Sequence, residues 1–222
     1  MDLSAPEIRV LGCLIEKQRT TPDAYPLTLN ALRLACNQAT NREPVVAYDE
    51  ATVRDAATKL ERRRLARFTS GYGSRAAKYR HLLSEQLALP TGELALLAIL
   101  MLRGAQTAAE LRSRSARLHS FANAAAVDEA LDQLRGRGLA IQLARRPGER
   151  EQRYAHQIGE DAQVIERAQR YAHQIGEDAP VTAQKSEGLP SEGLDQRVDR
   201  LERQVAELRE ALGRVEATRA SS

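Results

Sequence analysis

Contact with phosphate is the chemistry that residue types and spacing in this chain could best support. Between Asp49 and Arg63 the apolar residues Val53, Ala56, Ala57 and Leu60 recur at helical spacing, which turns one face of a helix inward. Thr52, Arg54, Asp55, Thr58, Lys59, Arg62 and Arg63 are left on the outer face. Just downstream, Arg67, Tyr72, Ser74, Arg75, Lys78 and Arg80 flank or occupy the turn Gly71-Tyr72-Gly73-Ser74. A basic helix beside a basic hairpin tipped by small residues is what duplex phosphates require of a protein surface. Thr52, Arg54, Thr58, Lys59, Arg62, Arg63, Tyr72, Arg75 and Lys78 are therefore the candidate nucleic-acid-binding residues. The competing explanation is an ordinary solvated face, because surface helices commonly carry charge outward.

A second set of polar residues lies in the segment Cys36-Asn37-Gln38-Ala39-Thr40-Asn41-Arg42-Glu43-Pro44. Asn37, Gln38, Asn41 and Arg42 could touch phosphate or a partner. They could equally satisfy the loop's own backbone, as Asn and Thr often do. Further along, Arg112, Arg114 and Arg117 on one helix and Arg145, Arg146 and Arg150 on a hairpin offer more positive charge. Asp128, Glu129, Asp132 and Gln133 on the intervening helix would repel phosphate, so this region suits either backbone contact from its hairpin or docking of a protein. Catalysis is not expected. The chain has neither a Gly-rich phosphate loop, nor a nucleophile motif, nor a paired-carboxylate site. His81 and His156 hold matching strand positions, which points to structure. Cys13 and Cys36 lack metal-ligand spacing and read as buried free thiols, so no metal or other cofactor is implied.

The elements that must position these residues follow from periodicity. Ser4-Ala5-Pro6-Glu7 is a capping-box start, with Ile8, Leu11 and Ile15 inward and a stop at Thr20-Thr21-Pro22-Asp23. A second helix is expected over about 27–37 and a third after the cap Asp49. Residues 65–69 and 77–82 alternate as two strands about a turn. The order then recurs: a helix over 89–103, a capping box at Thr107-Ala108-Ala109-Glu110, a helix capped by Asn123, and a hairpin over 139–144 and 152–156. Val53, Leu60 and Leu65 correspond to Val127, Leu134 and Leu139, and the wing pattern around Tyr79 and His81 corresponds to that around Tyr154 and His156. The expected fold is mainly α with small β-hairpin wings (α+β). Two tandem winged helix-turn-helix domains, 1–88 and 89–157, precede a linker and a C-terminal coiled-coil helix.

Residues 153–162 recur identically as 170–179. The first copy completes the second hairpin; the second has no sheet left to join and is expected to be poorly ordered. Residues 158–193 are read as this duplicated segment and a flexible linker. From 194 to 219 a heptad pattern places Leu194, Val198, Leu201, Val205, Leu208, Leu212 and Val215 along one seam. Val at a and Leu at d favour a two-stranded coiled coil, hence a homodimer; the competing reading is a single helix packing back on the body. Net charge is +3, with a basic body and an acidic tail, which permits nucleic-acid binding without demanding it. No apolar run approaches the ~20 residues of a membrane span. The opening Met1-Asp2-Leu3-Ser4 lacks an export signal, so a cytoplasmic location without membrane contact is expected.

Leu11-Gly12-Cys13-Leu14-Ile15-Glu16-Lys17, Tyr25-Pro26-Leu27, Cys36-Asn37-Gln38 and Thr40-Asn41-Arg42-Glu43-Pro44 closely resemble the bacterial YceH-type family. So do the segment from Leu102 to Arg114 and the closing Arg153-Tyr154. The resemblance covers roughly 3–157 and implies a tandem winged-helix fold, with little about activity. It further implies that the family ends near the second hairpin, making the duplication and the heptads departures. The expected function is that of a non-enzymatic, dimeric regulator binding double-stranded DNA. The alternative is a scaffold whose winged helices, the second above all, dock proteins.

Overall fold

The computed structural model describes residues 1–69, 77–145 and 151–159. Helix α1 (Ala5–Thr20) starts where Glu7 Oε2 accepts from the Ser4 backbone N–H and hydroxyl, at 3.0 and 2.6 Å. Residues 27–28, expected to open the second helix, instead form a two-residue strand, β1 (Leu27–Thr28). The Thr28 hydroxyl then accepts from the Ala31 N–H and caps α2 (Leu29–Cys36). Asp49 does the same for Thr52 at 2.7 Å, starting α3 (Glu50–Arg62). Its inner residues Val53, Ala56, Ala57 and Leu60 are all buried. Strands β2 (Ala66–Thr69) and β3 (Lys78–His81) pair antiparallel, and β1 adds to the other side of β3, giving the order β1-β3-β2.

A short helix, α4 (Leu83–Leu87), was not expected from periodicity. It leads to α5 (Thr91–Arg103), which is buried along nearly its whole length. The first half's order is then repeated. Strand β4 (Gln106–Thr107) precedes α6 (Ala108–Ser115), whose capping box joins Thr107 and Glu110. Helix α7 (Ala124–Gly136), capped by Asn123, precedes β5 (Ala140–Gln142) and β6 (Arg153–His156). The second sheet has the order β4-β6-β5. The architecture is therefore mixed α/β, with seven α-helices and two small antiparallel sheets among the described residues.

One continuous core runs through both halves, joined where α1 meets α5. Gly12 makes that approach close: a Cβ there would lie 3.0 Å from Leu102 Cδ2. Leu102, like Leu11, Leu14 and Leu97, is fully buried. Burial of this kind contributes roughly 1.5–3 kcal/mol per large aliphatic side chain. The described residues all fall within one unit, Met1–Asp178. None of their helices is long and apolar enough to cross a membrane.

Candidate nucleic-acid interface

Packing of Val53, Ala56 and Leu60 against α1 turns the opposite face of α3 to solvent. Arg54, Lys59, Arg62 and Arg63 are exposed there, while Thr52 and Thr58 are half-buried. Three of these cations already have partners. Arg54 pairs with Glu50, Lys59 Nζ lies 2.8 Å from Asp55, and Arg63 Nε lies 3.4 Å from the buried carboxylate of Glu7. The first two are exposed pairs one helical turn apart, of the kind that phosphates can outcompete at little cost.

Arg62, Arg64 and Arg67 have no paired carboxylate among the described residues. Around α3, the positive charge without a carboxylate partner among the described residues therefore sits at the helix's C-terminal end and the start of β2. Arg64, held at φ 60° just past the helix end and exposed, is the cation that sequence reasoning left out. Its signal was the unbroken triplet Arg62-Arg63-Arg64. Along the sheet, Phe68 stacks against Tyr79 at 4.6 Å on the inner face. Arg67 opposes Arg80, and Thr69 opposes the half-buried Lys78. Tyr72, Arg75 and Arg146 lie outside the described residues, as do Leu194, Val198, Leu201, Val205, Leu208, Leu212 and Val215.

The 37–44 segment is a different kind of structure. Arg42 is fully buried at its side chain and uses all five of its N–H donors. Nη1 and Nη2 grip the Glu16 carboxylate at 3.1 and 2.6 Å, and Nε donates to the Ala35 carbonyl. The Asn41 carbonyl and Gln38 Oε1 take the remaining two at 2.8 Å each. Asn37 is equally occupied: its amide donates to the Tyr48 carbonyl and accepts from the Tyr48 N–H. Of the two readings of this loop, geometry favours the structural one for Asn37, Gln38 and Arg42, whose polar atoms close the turn and tie it to α1.

Asn41, by contrast, is exposed and accepts from Arg103. Together with Arg114 it lines a cleft of about 430 Å³ that also contains Arg103, Glu110 and Arg153. Arg114 lies 3.1 Å from Glu110, so positive charge in this cleft is partly neutralised.

Near the loop, Arg9 is buried and donates to the carbonyls of Cys36 and Pro44, at 3.0 and 2.6 Å. Cys13 and Cys36 are buried free thiols, as expected. Burial opposes ionisation of Cys13, but the hydrogen bond with Cys36 and the charge of Arg42 outweigh it and carry its pKa down. The same hydrogen bond, with burial, pushes Cys36 up. His81 is buried, bonded to Gln18 Oε1 at 2.7 Å, and burial together with Arg80 pushes its pKa down to about 4. That environment is a core position.

In the second half, Arg112 and Arg145 are exposed, as are Asp128, Glu129 and Asp132 on α7. Between α6, α7 and β6 lies a groove of about 750 Å³. Ala109, Ala116, Phe121, Val127 and Tyr154 form much of its lining, with Arg112, Asp128 and Glu151 among its polar groups. This apolar surface had no evident signal in the sequence, because its alanines are indistinguishable from core positions until the helices are packed.

The fold and surface define an α+β protein with one basic helix face and one acidic, grooved helix face. The chain belongs to the family described as "Protein of unknown function, DUF480", which matches residues 3–149. It is 47% identical over 214 residues to a UPF0502 protein of Pelobacter propionicus, covering 95% of this chain and 91% of the relative. A UPF0502 protein of Shewanella sp. (strain MR-4) is 42% identical, with 96% of each chain covered. One from Pseudomonas aeruginosa (strain UCBPP-PA14) is 49% identical over 162 residues, 73% of this chain and 72% of the relative. The family resemblance is thus borne out, with one correction. Similarity covering 95% of the chain runs well beyond residue 157, so relatives do not all end near the second hairpin.

Proposed function

We propose that the chain is a non-enzymatic, double-stranded-DNA-binding protein of the transcription-regulator type, acting in the cytoplasm. In this reading each half is a winged helix-turn-helix unit. The support is the twice-repeated order of helix, short strand, two helices and hairpin, with the last strand central in its sheet. In such a unit the third helix enters the major groove and the hairpin reaches backbone. The observation that carries the DNA reading is the exposed cluster Arg62, Arg64 and Arg67 beside α3, free of carboxylate partners among the described residues. Residues 194–219, with their heptad seam, would pair two chains.

The test is fluorescence anisotropy of the full chain with mixed-sequence duplex DNA across a salt series. Binding should weaken steeply as salt rises. The double variant Arg62→Ala/Arg64→Ala should lower the slope of log K against log salt by about 2, close to one per lost phosphate contact. Absence of binding at low salt would sink the reading.

A second reading has its own support. The acidic outer face of α7 and the apolar groove beside it suit a protein partner better than DNA. On that view the second half docks a protein while the first half, or neither, touches DNA.

A further inference from the structure

The repeat after the second hairpin is longer than its ten-residue core: residues 152–162 and 169–179 are identical throughout. The structure gives those letters a meaning. Residues 153–159 fill a slot whose demands are specific at nearly every position. Strand β6 is the centre of its sheet, pairing Tyr154 with Gln106 and Gln142, and Ala155 with Ile141. Arg153 Nη1 donates to the Ala105 carbonyl at 3.0 Å, and its own carbonyl accepts from the Leu143 N–H. Ala155 is buried in the sheet, and the Gln157 N–H donates to the Leu139 carbonyl at 2.8 Å. Ile158 is fully buried in the common core. Gly159 passes so near α1 that a Cβ would lie 2.6 Å from Ile8 Cδ1 and 3.0 Å from the Leu3 carbonyl oxygen.

Arg170, Tyr171, Ala172, His173, Gln174, Ile175 and Gly176 meet all of these demands in the same order. We propose that the slot between β4 and β5 is a binding site for either copy, so that residues 170–176 can replace 153–159 as the central strand of the second sheet. On this proposal the second copy competes for the sheet its twin occupies.

The two registers make identical contacts within the slot, so their difference lies in the connecting chain. From Gln142 to the strand's first residue the loop grows from 10 to 27 residues. Loop-closure entropy then favours the first register by about fourfold. A bias that small leaves the second register as roughly a fifth of the molecules. Exchange lengthens the second hairpin and shortens the tether between the body and Leu194 by the same 17 residues.

The experiment uses the full chain with Ile158→Asp, Ile175→Asp and the double variant. Urea unfolding measures each folding equilibrium. Amide exchange is read on the two copies through their different flanking peptides. Ile158→Asp should lower the folding equilibrium constant by only about fivefold, since the second register takes over. Ile175→Asp should leave it nearly unchanged, and the double variant should lower it by roughly a hundredfold or more. In Ile158→Asp, exchange protection should pass from residues 153–157 to 170–174. If Ile158→Asp is as damaged as the double variant, or residues 170–174 stay unprotected in it, the proposal is overturned.

Discussion

Replacing Arg42 by alanine tests whether the 37–44 loop is architecture or a contact surface. In the folded chain the guanidinium joins α1 to the loop through Glu16, and closes the loop through Ala35, Gln38 and Asn41. Alanine would strand the Glu16 carboxylate, whose side chain is only 11% exposed, with Lys17 Nζ at 3.6 Å as its remaining cation. Breaking one side of a buried pair costs about 3–5 kcal/mol, and partial rescue by Lys17 places the expected loss near the lower figure. For a body of this size that corresponds to a fall in Tm of roughly 6–12 °C. Urea denaturation followed by circular dichroism measures the loss. The double variant Glu16→Leu/Arg42→Met, which removes both charges, should recover much of it. If Arg42→Ala unfolds within ~0.5 kcal/mol of the parent yet loses DNA affinity, the reasoning fails and the guanidinium is a ligand contact.

Other outcomes follow from the same geometry. His81 is neutral in the fold down to about pH 4, whereas an unfolded histidine takes a proton near its ordinary 6.5. Its contribution is therefore complete above pH 6.5 and lost as pH falls toward 4, amounting to about 2 kcal/mol between pH 7 and 5. His81→Gln should flatten the urea-midpoint profile in that window, with Gln18, Arg19, Tyr25, Arg80 and Glu85 unchanged around it. Gly12→Val should cost about 2–3 kcal/mol, because the added carbons meet the immobile Leu102 and Met101 of α5; an unchanged thermal midpoint would show that the two helices can part. Deleting residues 190–222 should leave circular dichroism of the body intact and convert dimer to monomer in sedimentation; a dimer persisting after the deletion would rule out pairing by the heptads.

Much of the fold was legible because its signals are local. Ser4, Asp49, Thr107 and Asn123 mark helix starts through side-chain bonds made within three residues. Val53, Leu60 and Leu65 repeat as Val127, Leu134 and Leu139, and all six are buried. Strand β1 escaped because two residues cannot display an alternating pattern, and its pairing with Tyr79 and Lys78 depends on chain 50 residues away. Helix α4 escaped for a similar reason, being barely more than one turn long. Arg42 shows the main limit on reading a site. An arginine in a polar loop looks like a phosphate ligand until Glu16, distant in sequence, is brought against its side chain.

The continuous core changes what the two faces can do together. If α1 and α5 belonged to separate bodies, the basic face of α3 and the acidic face of α7 could reorient on a flexible linker. Instead α1 and α5 pack at the contact distance that Gly12 sets, and only Ala88, Leu89 and Pro90 separate α4 from α5. A partner bound in the groove of the second half would then hold the α3 face in a fixed relation to itself.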